Sequence, residues 1–195
     1  MLVKLYGILL KNLIVKAAAS PGKLLAGLVG GEPKDIEEIH FAYLDTVPSE
    51  KNKMQLDKLL EIEQIKKGLK IEMIYYVDTN LQKEAIAKAA VGKLYLKESN
   101  KDYLKNEKDF EAYARNKITP DSLSLKQAYL EIVTEKHVDS LLLNNNRILI
   151  SNTEQYLKTA NDSTQIKIIR SDVLAPENTG SIPLLKIIFS LRENE

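Results

Sequence analysis

"IEMIYYVDTNLQ", Ile71 to Gln82, decides how this chain is built. Its first half is almost continuously apolar and rich in β-branched and aromatic residues, which reads as a strand buried on both faces. The run stops on one acid, Asp78, and turns polar. Asp78, Thr79 and Asn80 are all good helix N-caps, so the residues alone favour a strand that feeds a helix through a cap. The other reading is a carboxylate held at the mouth of a sheet to grip a ligand.

Working outward, "LKIEMIYYVD" (69–78) is preceded by "EKNKMQLDKLLEIEQIKKG". Pro48 and Ser49 mark its start, Met54, Leu56, Leu59, Leu60, Ile62 and Ile65 its apolar side, and Gly68 its end, so a helix is expected over 50–67. Before it, "IEEIHFAYL" (36–44) reads as a strand. After Asp78 the chain is helical: an Ala-rich segment, a charged amphipathic one near 104–117, one after Pro120 with Ser122 as cap, and a long helix over 138–159. Two strands close the chain, 165–175 and 184–192. The order β-α-β, helical block, α-β-β defines an α+β fold with helices on one face of a small mixed sheet.

The chain has 195 residues, enough for one well-buried domain. Two units are expected: an N-terminal amphipathic helix with a Gly/Pro connector over 1–35, and an α+β domain over 36–195 carrying a helical insertion at about 79–137. The N-terminus, "MLVKLYGILLKNLIVKAAAS", is apolar, lightly basic and ends in small residues, as signal peptides do. Leu2, Leu5, Leu9 and Leu13 fall at helical spacing, however, and Lys11 interrupts the apolar core, so it reads as an amphipathic helix packing on something. No run reaches the roughly 20 apolar residues of a membrane span.

Lys plus Arg number 28 and Asp plus Glu 27, which predicts no nucleic-acid or anionic-membrane footprint. With no cysteine there are no disulfides, thiolate metal ligands or cysteine nucleophiles. "SPGK" (Ser20–Lys23) fits S-x-x-K but lacks its companion motifs, and the glycines of "GLVGGEPKD" lack the ending of a phosphate loop. His40, on a strand, and His137, at a helix end, have no carboxylate cluster beside them. Glu61 with Glu63, and Asp102 with Asp109, read as solvated charges. No catalytic residue, cofactor or metal site is expected.

Several stretches, in order, resemble one family. They are "AAASPGKLLAGLVGG" (17–31), "IEEIHFAYL" (36–44), "MQLDKLLEIEQIKKGLKIEMIYYVD" (54–78), "LLLNNNRILISNTEQYL" (141–157) and "IIFSL" (187–191). Together they resemble the C-terminal part of the AsmA-like envelope proteins, a class of domain of unknown function. The resemblance implies an OmpA-like β-α-β-α-β-β core and residence in the periplasm or cell envelope of a double-membraned bacterium. It implies a non-catalytic role in outer-membrane maintenance or intermembrane lipid transport, with an envelope protein or the cell wall as partner. It also implies an alternative, peptidoglycan binding, in which Asp78 grips the ammonium of diaminopimelate and Arg147 its carboxylate. The sequence departs from that pattern in three ways. Glycines that normally follow the Asp are missing, about 60 residues of helix intervene, and alignment on Tyr156 and Leu157 puts Leu149 at the arginine position.

Overall fold

The computed structural model describes residues 21–118, 123–169 and 182–192. The N-terminal stretch expected as an amphipathic helix, Ser122, and most of the strand expected over 165–175 lie outside them. Seven helices and four strands follow in the order α1 (Pro21–Ala26), α2 (Pro33–Glu37), β1 (Glu38–His40), α3 (Glu50–Ile65), β2 (Leu69–Tyr76), α4 (Thr79–Ser99), α5 (Glu107–Asn116), α6 (Leu125–Val133), α7 (Glu135–Ala160), β3 (Lys167–Ile169) and β4 (Leu184–Leu191). The fold is α+β.

The strands form one mixed sheet in the order β1-β4-β2-β3, with β2 antiparallel to β4 and parallel to β3. Parity along β2 sets its two faces. Leu69, Ile71, Met73 and Tyr75 are buried, whereas Lys70 is exposed and Glu72, Ile74 and Tyr76 are half-buried. The buried face meets Leu56, Leu59 and Ile62 of α3, Leu149 and Leu157 of α7, and Leu185 and Ile187 of β4. This strand was expected to be buried on both faces. The structure gives it one buried and one partly open face, the alternation of an antiparallel neighbour.

The first strand is shorter than the expected 36–44. Pro33 starts α2, where its missing N–H costs nothing, and the Asp35 carboxylate accepts from the Glu32 N–H at 3.4 Å. That turn consumes residues 33–37 and leaves three for β1. In α3 the Ser49 hydroxyl accepts from the Asn52 N–H (3.2 Å) while Asn52 Oδ1 accepts from the Ser49 N–H (3.0 Å), a reciprocal cap. The helix ends at Ile65 with Lys66 as its C-cap; Gly68, expected in that role, lies in the following turn.

A second core fills the helical block: Ile86, Val91 and Tyr95 of α4, Phe110 and Ala114 of α5, Tyr129 of α6, and Val138 and Leu142 of α7. Phe110 sits at its centre, with ring centroids 5.5 Å from Tyr95, 5.1 Å from Tyr103 and 5.3 Å from a stacked Tyr129. Gly92 is dictated by this packing, since a Cβ there would overlap the Tyr103 ring. The 26-residue α7 belongs to both cores, Val138 and Leu142 facing one and Leu149, Ile150 and Leu157 the other.

The helix expected to run from Pro120 through His137 breaks earlier, at Thr134. His137 therefore lies in the first turn of α7, not at a helix C-terminus, and it is exposed.

Candidate functional site

Asp78 stands where β2 hands over to α4. It is 9% exposed, and its Oδ1 accepts from the Asn80 N–H (3.0 Å) and the Leu81 N–H (3.1 Å). It is a helix N-cap that satisfies two of the donors a helix start leaves open. It also has a near neighbour in Tyr43: burial, and after it the negative charge of Asp78, holds that hydroxyl above the usual phenol range.

Arg147 is exposed on α7 and makes no hydrogen bond or ion pair with the described residues. Two residues turn a helix by about 200°. Arg147 therefore points away from both Asn145 and Leu149, which flank it two positions on either side. Leu149, 2% exposed, enters the sheet core. The inward register of α7 belongs to Leu149.

What faces the sheet–block junction is a set of amides. Asn146 Oδ1 accepts from Gln82 Nε2 (2.7 Å) and from the Tyr75 hydroxyl (3.1 Å), and Asn146 Nδ2 donates to Gln82 Oε1 (3.1 Å). Gln82 is fully buried and also donates to the Tyr43 carbonyl at 3.2 Å. Burial pushes the Tyr75 hydroxyl far above its ordinary value, so it stays a donor. Asn145 Nδ2 donates to the carbonyls of Tyr43 (3.3 Å) and Asp45 (3.2 Å), and Asn152 Nδ2 to that of Thr46 (2.8 Å). Two amides of α3 act likewise further back, Asn52 on the His40 carbonyl (2.9 Å) and Gln55 on those of Asp35 (3.0 Å) and Glu38 (3.2 Å). The segment from Asp35 to Thr46 is thus held by its carbonyls from three helices. Amides suit this work because their NH2 donates twice and carries no charge to desolvate. The one visible signal for them is the polar "NNN" set directly after the apolar "LLL" of α7.

Glu63, read from sequence as solvated, is buried. Its carboxylate accepts from the Thr164 hydroxyl (2.7 Å), the Gln165 N–H (2.8 Å) and Arg192 Nη2 (3.4 Å), while Arg192 Nε donates to the Leu69 carbonyl (3.0 Å). It fastens α3 to the entry of β3 and the exit of β4. His40 is exposed, 3.2 Å from Glu38. Among the described residues no group of three or more His, Asp or Glu could hold a metal ion, and no helix is long and apolar enough to cross a membrane.

If Asp78 acts as a cap, Asp78→Ala should cost about 0.5–2 kcal/mol. Asp78→Ser should recover most of that loss, because a hydroxyl also accepts a backbone N–H. Urea denaturation of the three proteins checks this, and an Asp78→Ser protein as unstable as Asp78→Ala would show that the charge matters and not the cap.

No family model, curated protein or solved structure matches this chain.

Proposed function

We propose that this chain is a non-catalytic envelope module, an end-piece of the AsmA-like kind, which works by contact with an envelope protein in outer-membrane maintenance or intermembrane lipid transport. The location and process rest on the sequence resemblance. The observation that carries the choice of mode is the state of the Asp78 site. The position that the resemblance assigns to a ligand carboxylate is occupied by a cap, and beside it Gln82, Asn146 and Tyr75 bond to one another. A diaminopimelate group would need an arginine beside Asp78 to take its carboxylate, and Arg147 is turned away. The OmpA-like reading of the core is supported by the order β-α-β, block, α-β-β of the described elements.

Titration of the purified protein with a diaminopimelate-containing muropeptide tests the mode. No saturable binding is expected. Saturable binding lost in both Asp78→Ser and Arg147→Ala would replace this reading with direct peptidoglycan recognition. Deleting the coding sequence in its host tests the setting: outer-membrane permeability to bulky antibiotics should rise, and an unchanged barrier would remove the envelope role.

A further inference from the structure

Residues 125–160 contain neither Gly nor Pro, yet the chain turns a corner within them. Thr134 alone separates α6 from α7, and it sits at φ 68°, ψ 136°. A positive φ forces a β-branched side chain against its own backbone, so this is a strained position. No side-chain cap of Thr134 offsets it; only its carbonyl is used, accepting from the N–H groups of His137 and Val138 at 3.1 Å. Local preference therefore favours one helix running straight through, and the bend is imposed from elsewhere.

Contacts of both helices with α4 and the second core impose it. On the α6 side, Ala128 and Tyr129 are buried, Tyr129 stacking on Phe110, and Lys126 Nζ lies 2.6 Å from Glu84. On the α7 side, Val138 and Leu142 enter the same core, and Lys83 Nζ lies 2.7 Å from Asp139. Consecutive residues of α4, Lys83 and Glu84, thus grip the two arms of the corner.

We infer that the α6–α7 corner is a two-state element: a bent form latched by Glu84 and the aromatic core, and a straight form in which α6 continues α7 as one helix. Straightening carries Tyr129 off Phe110 and uncovers the second core. The strain at Thr134 is released in that move, so it biases the element toward opening whenever the latch is weakened. This inference does not depend on the envelope reading.

The protein has no cysteine, so two can be introduced without competing thiols for spin labels, at Gln127 in α6, whose loss from the Ser124 cap is common to every variant compared, and at Ser151 in α7, both exposed. A continuous helix would separate these positions by about 36 Å, and the corner at Thr134 shortens that separation. Wild type is expected at the short distance. With the latch reversed by Glu84→Lys, Thr134→Ala should populate the long distance and Thr134→Gly should not. Alanine extends a helix, whereas glycine adopts positive φ freely and disfavours helix interiors. The expected ratio of long-distance populations, Ala over Gly, is at least fivefold, with the far-UV helical signal retained in both. Equal populations in the two variants, or a long distance that appears only as helical signal is lost, would overturn the inference. The second of those results would mean unfolding, not straightening.

Discussion

Leu149→Ala should cost about 2–5 kcal/mol, the range for emptying a core leucine site, whereas Arg147→Ala should stay within about 0.5 kcal/mol. The two positions differ by two residues on one helix, yet one side chain is 2% exposed against α3 and the sheet and the other stands in solvent. Urea midpoints of the two variants decide the register of α7 without any ligand. A costly Arg147→Ala beside a mild Leu149→Ala would mean that α7 is rotated, and it would bring Arg147 back to the neighbourhood of Asp78. The comparison therefore bears on function as well as on fold, because peptidoglycan recognition through Arg147 requires the rotated register.

Phe110→Ala should be as severe, at about 3–5 kcal/mol. Its ring is fully buried and has three tyrosine rings within 5.5 Å, and its removal leaves a void that helices tied by short loops cannot readily close. Phe110→Leu should recover part of the loss, because most of the volume is kept. Intrinsic tyrosine fluorescence can follow both, since the chain holds nine tyrosines and no tryptophan. A Phe110→Ala protein within about 1 kcal/mol of wild type would show that the block is loosely associated helices and not a packed core.

The parts legible in the sequence were those governed by neighbours a few residues away. The strand over 69–76, helix α3 with its Ser49 cap and the Asp78 cap all follow from local pattern and local hydrogen bonding. The start of β1 was misread because "EPKDIE" has an apolar residue, Ile36, at a strand-compatible place, while Pro33 and Asp35 make a helical turn. Glu63 could not be recognised as buried, because its partners Thr164 and Arg192 come from more than 100 residues away. The amide set around Asn146 has the same character: Gln82 is 64 residues distant and Tyr75 is 71. The break between α6 and α7 is an intermediate case: two helices were expected with their junction after His137, and the structure places it three residues earlier, at Thr134, in a backbone conformation that no local signal announces.

The amides of α3 have one more consequence, for what can attach to this sheet. In β1, Ile39 is paired with Leu185 and the Phe41 N–H donates to the Pro183 carbonyl, so residues 39 and 41 turn their backbone groups toward β4. By the alternation of antiparallel bonding, residues 38 and 40 turn theirs outward. Those outward carbonyls are the ones that Gln55 and Asn52 occupy. A strand arriving from another molecule would find its docking rail at β1 already bonded and would have to strip two helix amides to use it. Extension of the sheet by strand addition, whether by a legitimate partner or by misassembly into fibres, is disfavoured on that side.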